Sequence, residues 1–174
     1  EPMAEDTEIE PISEYETGKA KEEELLQEFA RQQNRRLSIV RLGNVYGGEK
    51  NRGIIHYMLS TQKNDEEFTI NGDGSQVRDY IHVEDAAQMI LAVALSKQDI
   101  QVDIYNVSTG IGTTVNELIE TVKDKFGSIK VKYGPAKQEK RSIIADNSKI
   151  IKNLNITVKY RIISGLVKTS KLYR

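Results

Sequence analysis

The chain has 174 residues, which is enough for one domain with a hydrophobic core, or for one domain and part of another. Its 25 basic and 26 acidic residues nearly balance, and the basic residues are scattered, so the basic surface that a nucleic-acid-binding protein needs is not expected. The absence of cysteine excludes disulfides, thiolate metal sites and thiol nucleophiles, and no apolar run approaches the roughly 20 residues that a membrane-spanning helix requires.

Residues 1–11, EPMAEDTEIEP, are acidic, contain two prolines and show no hydrophobic period, which predicts a loop. Because the segment begins with Glu1 and reads as a loop that arrives from preceding sequence, we expect the chain to be the later part of a longer protein. Without a signal peptide at its start, that protein is expected in the cytoplasm.

A helix with one buried face is predicted over residues 16–33, because apolar residues follow at helical spacing: Leu25, Leu26, Phe29 and Ala30. Tyr15 and Lys19 stand four residues apart at its start, on one side of the helix. A free phenol titrates near ~10, and a neighbouring ammonium favours the phenolate, so such a pair can form a base that works at neutral pH. Two surface residues on an acidic helix would give the same spacing by chance.

Two segments have the composition of buried parallel strands, residues 37–42 and 103–107. A helix that returns to a buried strand is half of a parallel βαβ unit. Residues 41–48, RLGNVYGG, follow the first strand and are predicted to form a loop at its carboxyl end, where open α/β sheets bind ligands.

The remaining elements alternate in type. Helices are predicted over residues 53–62, 84–96, 115–126, 147–154 and 163–173, and short strands over residues 67–70, 80–83 and 128–133. The helix over residues 84–96 is predicted to have this apolar face: Ala87, Ile90, Leu91, Ala94 and Leu95. Two buried parallel strands are too few for a complete doubly wound sheet, and the other strands indicate a small α/β lobe.

Neither glycine-rich segment has the spacing of a dinucleotide-binding loop. GDGSQV from Gly72 and GIGTTV from Gly110 each lack the third glycine, and neither follows a strand and opens a helix at the required spacing. We expect both to be turns. The chain by itself is therefore not predicted to hold a dinucleotide in the usual way.

Several polar residues suit a phosphorylated ligand. Arg78 has a planar fork of donors that can bind a phosphate, although pairing with Asp79 would make both residues structural. Asn44 can donate to an oxygen-rich ligand, and asparagine also suits turns. A basic segment could supply a second phosphate contact or be a solvated loop: Lys137, Lys140 and Arg141.

The motifs in their order along the chain resemble one family. They are YETGK from Tyr15, RLGNVYG from Arg41, GDGSQVRDYIHVED from Gly72, YNV from Tyr105 and ADNSK from Ala145. This order is similar to the extended short-chain dehydrogenase/reductase family and, within it, to the NAD-dependent nucleotide-sugar epimerases and dehydratases of the UDP-glucose 4-epimerase type. The resemblance covers nearly the whole chain, and the segment around Arg78 is its most specific part.

The resemblance implies an α/β fold that comprises the C-terminal portion of a Rossmann-type doubly wound sheet and a small α/β substrate-binding lobe. Residues 1–48 would be the remnant of a dinucleotide-binding domain with the catalytic helix. Residues 49–174 would be mainly the substrate-binding lobe, with residues 75–108 returning to the Rossmann sheet. It also implies NAD as cofactor, with its binding loop in a missing N-terminal half, a UDP- or dTDP-hexose as substrate, and a homodimer.

The resemblance also implies the roles of individual residues. Tyr15 would exchange a proton with a sugar hydroxyl as hydride passes to the nicotinamide, and Lys19 would stabilise the phenolate and hold the nicotinamide ribose. Leu42 and Gly43 would border the nicotinamide. The substrate contacts would be Asn44, Arg78 on the diphosphate, and Arg141.

The chain departs from the family pattern at two places besides the missing N-terminal half. Gly48 stands where proline commonly follows the Tyr-Gly pair, and the second phosphate-binding arginine would fall on Ala136. Two alternatives to an enzyme remain open at this point. The chain could be a truncated, catalytically inert fragment, or a nucleotide-sugar binding module without redox activity.

Overall fold

The computed structural model describes residues 2–97, 100–136 and 140–173. The helices are α1 Glu14–Gln32, α2 Ile54–Lys63, α3 Val83–Leu95, α4 Val115–Phe126, α5 Ser148–Leu154 and α6 Ile162–Ser170, the last followed by a 3-10 turn, Lys171–Tyr173. The strands are β1 Leu37–Leu42, β2 Asn44–Tyr46, β3 Glu67–Asn71, β4 Val77–His82, β5 Val102–Val107, β6 Gly112–Thr114, β7 Lys130–Gly134 and β8 Ser142–Ile143. The helices predicted from the sequence are all present. α4 has its predicted bounds, and the ends of the others differ from the prediction by at most three residues.

The two segments predicted to be buried parallel strands pair with each other. β1 and β5 run parallel, with Leu37 opposite Val102 and Leu42 opposite Val107. Because side chains alternate along a strand, Val40 packs into the cluster under α3, whereas Arg41 points to the other face and bonds to α1. α1 and α3 therefore lie on opposite faces of this parallel pair, as in a doubly wound sheet.

β4 is the central strand of a second sheet. It pairs in parallel with β2 and β8 and antiparallel with β6. The prediction of a loop over residues 41–48 is thus wrong for β2, which pairs Asn44 with Tyr80. A strand of three residues has too few positions for a period of two to be detected, and it is defined by its partner. β3 and β7 form a separate parallel pair.

Two hydrophobic clusters form the core. The first packs α2 and α4 against β3, β4 and β7: Tyr46, Ile55, Met58, Leu59, Phe68, Ile70, Tyr80, Val115, Leu118, Ile119, Val122, Ile129 and Leu166. The second lies under α3: Ile81, Ala86, Met89, Val93, Tyr105, Val107 and Ile150. Most of the second cluster comes from residues 75–108, the segment predicted to return to the Rossmann sheet. The division of the chain at residue 48 stays a prediction.

The helix faces differ from the prediction. Leu25 and Leu26 are each 52% exposed and Phe29 is 59% exposed. Of the residues of α1, all of which are described, only Ala30 is buried. The predicted buried face of α1 is therefore wrong, because the apolar spacing shows that a face exists but not that this chain covers it.

For α3 as well, the side that packs against the sheet is not the predicted one. The predicted apolar face is exposed, with Leu91 at 58% and Leu95 at 72%, whereas Ala86, Met89 and Val93 are buried against the sheet. The helix is apolar on both sides, so its sequence does not determine which side packs on β1 and β5.

Asp103 ties α5 to β5. Lys149 Nζ donates to Asp103 Oδ1 at 2.6 Å and to the carbonyl oxygen of Ile104 at 2.7 Å, and Asp103 is buried. Burial alone raises the pKa of Asp103. The hydrogen bonds from Lys149 and Tyr105 and the charge of Lys149 together outweigh burial and hold the pKa of Asp103 below its usual value.

Asp103→Asn is expected to lower the free energy of unfolding by about 1–3 kcal/mol at pH 7, because a charge-assisted hydrogen bond is lost. Folding lowers the pKa of Asp103. The stabilisation that its carboxylate gives to the wild-type protein is therefore complete above the unfolded-state pKa of about 4, and it is lost as the pH falls through the lower folded-state pKa. Urea denaturation between pH 7 and pH 3 measures the difference, which should shrink toward pH 3. Asp124→Asn, which breaks an exposed pair with Lys125, is the control; a difference for Asp103→Asn that does not vary with pH would contradict the prediction.

Candidate active site

A cleft of about 480 Å³ opens at the carboxyl end of β1. Its walls come from the segment 3–11, the face of α1 that carries Tyr15 and Lys19, the junction of β1 and β2, and the start of β4. Four single residues complete them: Asn106 of β5, Lys140, Ile143 and Ala145. Six of the seven residues predicted from the sequence line it: Tyr15, Lys19, Leu42, Gly43, Asn44 and Arg78. The fold thus brings together side chains that are up to 63 positions apart (78 minus 15).

Arg141 lies elsewhere. Its side chain is exposed and does not line the cleft, whereas its main-chain oxygen accepts a hydrogen bond from Val77 N at 2.8 Å. The neighbouring Lys140 does line the cleft. Lys137, the third basic residue of this segment, lies outside the described residues.

The first turn of α1 fixes the position of Tyr15. Ser13 is the N-cap, and its Oγ accepts a hydrogen bond from Glu16 N at 3.2 Å. The Glu16 carboxylate reaches back to Ile12 N at 2.7 Å. Tyr15 therefore lies in a well-defined helix start, with a side chain that is 74% exposed and accessible from the cleft.

Lys19 follows one turn after Tyr15 on the same face of α1. Its Nζ lies 2.7 Å from Glu22 Oε2, and both side chains are more than half exposed. The hydrogen bond and charge of Glu22, and to a smaller extent Tyr15, raise the pKa of the Lys19 ammonium. Lys19 is a cation at neutral pH, and its exposed partner is one that a ligand can displace.

The β1–β2 junction gives the cleft an apolar edge and a close backbone. Leu42 is 52% exposed and lies on the cleft wall. Gly43 N donates to Val107 O at 3.0 Å, and a Cβ at Gly43 would lie 3.1 Å from the carbonyl oxygen of Asp79. A side chain at position 43 would therefore require the main chain at Asp79 to shift by a few tenths of an ångström.

Asp79 supports the loop after β5. It is buried, and its carboxylate accepts hydrogen bonds from Thr109 N at 2.9 Å, Thr109 Oγ1 at 2.7 Å and Gly110 N at 2.9 Å. The adjacent Arg78 is half-buried on the cleft wall, and its Nη1 donates to Val77 O at 2.8 Å. Asp79 is a structural residue, whereas Arg78 lines the cleft.

Residues 82–85, HVED, are structural as well. Asp85 lies in the first turn of α3, where a carboxylate complements the helix dipole. It also accepts hydrogen bonds from Lys159 N at 3.1 Å and Tyr160 N at 2.8 Å, which hold the C-terminal segment against α3. His82 is buried, and burial lowers its pKa.

Tyr46 and Tyr15 are in opposite environments. Tyr46 is buried, its ring lies against Gly165 of α6, and burial raises the pKa of its hydroxyl. A Cβ at Gly165 would overlap the Tyr46 hydroxyl. Tyr46 is therefore a packing residue, and Tyr15 is the tyrosine that lines the cleft.

Four residues that are connected by hydrogen bonds received no role from the sequence: Arg41, Glu23, Glu5 and Asn106. Arg41 nevertheless belongs to one of the family motifs. Arg41 Nε and Nη2 donate to the two carboxylate oxygens of Glu23, at 3.1 and 2.5 Å, and Nη1 donates to Glu5 O at 2.8 Å. Asn106 N donates to Glu5 Oε1 at 2.8 Å. A charged residue inside an otherwise apolar strand, LSIVRL, was the signal that could have indicated such a role.

The family model described as "NAD dependent epimerase/dehydratase family" matches residues 1–108. The chain belongs to this family. UDP-arabinose 4-epimerase 1 of Arabidopsis thaliana is 30% identical to this chain over 200 residues, with 99% of this chain and 48% of the relative covered. The chain spans about half the length of the curated relatives it matches.

Solved structures of the epimerase/dehydratase type have the same fold. UDP-glucose 4-epimerase of Thermotoga maritima, solved with UDP-glucose, superposes with a TM-score of 0.88 at 31% identity, covering 99% of this chain and 57% of that one. MoeE5, solved with UDP-glucose and NAD, has a TM-score of 0.92 at 28% identity, with 99% and 59% covered. The predicted Rossmann-type α/β class is confirmed.

Among residues 2–97, 100–136 and 140–173, no three His, Cys, Asp or Glu side chains are arranged to hold a metal ion. Within the same ranges, no helix has the length and apolar character needed to cross a bilayer.

Proposed function

We propose that the chain supplies the proton-transferring pair and the nucleotide-sugar cleft of an NAD-dependent nucleotide-sugar epimerase or dehydratase. The observation that carries the proposal is the convergence of Tyr15 and Lys19, the β1–β2 junction and Arg78 on one cleft. A phenol beside an ammonium suits proton exchange with a hydroxyl, and a guanidinium suits a phosphate. A nucleotide sugar contains both groups.

Tyr15 is proposed to take a proton from a sugar hydroxyl and to return one later in the reaction cycle. Its hydroxyl is exposed, so a substrate can reach it without rearrangement of the core. Lys19, one turn away on the same face, stabilises the phenolate that forms. Its present partner Glu22 lies on the surface, so exchanging that carboxylate for the phenolate or a ribose hydroxyl costs little.

The cleft fits the nicotinamide end of NAD. Leu42 offers an apolar surface for a planar ring, Gly43 allows close approach to the backbone, and Lys19 would hold the ribose. When bound, NAD would supply the hydride acceptor for the carbon that carries the deprotonated hydroxyl. The sequence has no glycine-rich loop of the dinucleotide-binding spacing, so we propose that this loop is contributed by sequence outside the 174 residues, and that the chain alone is inactive.

The substrate proposed is a UDP- or dTDP-sugar. Arg78 would bind the diphosphate with its fork of donors, and Asn44 would donate to the substrate from the start of β2. For the second phosphate contact, the position of Lys140 on the cleft wall supports this residue over the originally predicted Arg141. The names of the matched relatives, which include 4-epimerases of UDP-glucose and UDP-arabinose, agree with this substrate class.

Two further parts of the proposal concern the complete protein. The exposed apolar residues Leu25, Leu26 and Phe29 on α1 support a homodimer that pairs through this helix, which light scattering can test. The cytoplasmic location expected from the sequence stays a prediction.

The proposed function is tested by supplying the full-length gene product with NAD and, separately, UDP-glucose, UDP-arabinose and dTDP-glucose, and by separating the products by chromatography. Conversion of at least one nucleotide sugar is expected. The melting temperature of the 174-residue chain should rise less with NAD than that of the full-length product. Binding of UDP without NAD-dependent conversion would instead support the binding-module alternative.

A further inference from the structure

Arg41 uses all three of its guanidinium nitrogens within the framework of the cleft. Nε and Nη2 form a two-point contact with the Glu23 carboxylate, and Nη1 donates to Glu5 O. The side chains of Arg41 and Glu23 are only 26% and 14% exposed. A fork-to-carboxylate contact fixes an angle as well as a distance, which a single ammonium contact does not.

Glu23 lies on the same stripe of α1 as the proposed catalytic pair. Tyr15, Lys19 and Glu23 are spaced four residues apart, and all three line the cleft. The contact between Glu23 and Arg41 therefore joins this stripe directly to β1. The pairs Lys19–Glu22 and Lys21–Glu24 connect residues within α1, so they do not orient the helix relative to the sheet.

Apolar packing does little to fix the rotation of α1 about its axis. Ala30, near the end of the helix, is its buried residue, and the larger apolar side chains Leu25, Leu26 and Phe29 are exposed. A small residue about ten positions from Lys19 cannot determine where Tyr15 and Lys19 point. The partly buried Glu23–Arg41 contact is one turn from Lys19 and is placed to do so.

The same guanidinium also holds a second wall of the cleft. The main chain of Glu5 accepts from Arg41, and the side chain of Glu5 accepts from Asn106 N. Asn106 Nδ2 in turn donates to Met3 O at 2.9 Å and to Asp146 O at 3.0 Å. The segment 3–11 is thereby attached to β1 and β5 at the end nearest the cleft.

We propose that Arg41 and Glu23 are positioning residues that set the helix of Tyr15 and Lys19 against the carboxyl end of β1. The inference rests on the proposed function. Neither side chain contacts substrate in this role. Without this contact α1 could shift as a unit against β1, which would displace Tyr15 and Lys19 together from a substrate bound at the β1–β2 junction.

The test uses the full-length gene product and two variants. Arg41→Lys keeps the charge but not the fork, and the double variant Arg41→Met/Glu23→Gln removes the pair without changing the net charge. The other charged side chains of the cleft remain unchanged: Glu16 and Lys19 on α1, Glu8 and Glu10 on the segment 3–11, and Arg78, Asp79 and Lys140 opposite. Lys21→Met/Glu24→Gln, which removes an exposed pair from the same helix, is the matched control.

Both variants are expected to lower kcat by about 10- to 100-fold, as a small misplacement of catalytic groups does. KM should change less than about twofold, because neither side chain contacts the substrate. The control should match wild type. Folded variants with the wild-type kcat, or with a loss of melting temperature alone, would overturn the proposal. If Arg41→Lys fails to fold, Glu23→Gln, which keeps the shape of the contact, is measured in its place.

Hydrogen exchange separates failure of this inference from failure of the proposed function. Amides of residues 16–23 should exchange faster in the variants than in wild type, while those of α4 should not change. This readout does not require turnover. If wild type converts no nucleotide sugar, the proposed function fails, and unchanged exchange in α1 would overturn the positioning role independently.

Discussion

Tyr15→Phe is expected to reduce kcat for nucleotide-sugar conversion by about 10²–10⁴-fold, the usual contribution of a positioned general acid or base. The variant should keep its melting temperature within about 1 °C, because the hydroxyl belongs to a side chain that is 74% exposed and makes no core contact. Initial rates at saturating substrate and thermal melts of the full-length gene product measure the two effects.

Tyr57→Phe provides the matched control. Tyr57 is also exposed, at 52%, but it lies on α2 and does not line the cleft. It should retain wild-type kcat. Wild-type activity in Tyr15→Phe would contradict the assignment of Tyr15, and equal losses in both variants would indicate a general effect of removing a tyrosine hydroxyl.

Arg78→Ala is expected to weaken binding of UDP and of the nucleotide sugar by about 10- to 100-fold, since a hydrogen bond to a charged group contributes about 1.5–3 kcal/mol. Arg78→Lys should restore little of this affinity, because an ammonium lacks the planar fork. Isothermal titration with UDP measures the affinity, and KM of the nucleotide sugar should rise in parallel. Unchanged affinity for UDP in Arg78→Ala would contradict a diphosphate contact.

The neighbouring basic residues refine this prediction. Lys140 lies on the cleft wall and Arg141 does not, so Lys140→Ala should weaken UDP binding more than Arg141→Ala. If Arg141→Ala weakens UDP binding more than Lys140→Ala does, the second phosphate contact is Arg141, as the sequence predicts. Both positions are in a loop, so neither substitution removes a core side chain.

Much of the architecture follows from local sequence. The helix of Tyr15, the parallel strands β1 and β5, and the helix α4 begin and end within one or two residues of their predicted positions. Periodicity and end signals such as Ser13 are properties of a few neighbouring residues, so they can be detected without knowing the fold. The motif around Arg78 was specific enough to indicate the family.

The sequence by itself determined which residue types could carry the chemistry, but only the tertiary structure decided which of them meet. It placed Lys140 rather than Arg141 on the cleft wall, made β2 a strand by pairing it with β4, and left the apolar faces of α1 and α3 exposed. It also joined Arg41 to Glu23, 18 residues away in the chain. These contacts depend on the packing of distant segments, which the period of a single helix or strand does not specify.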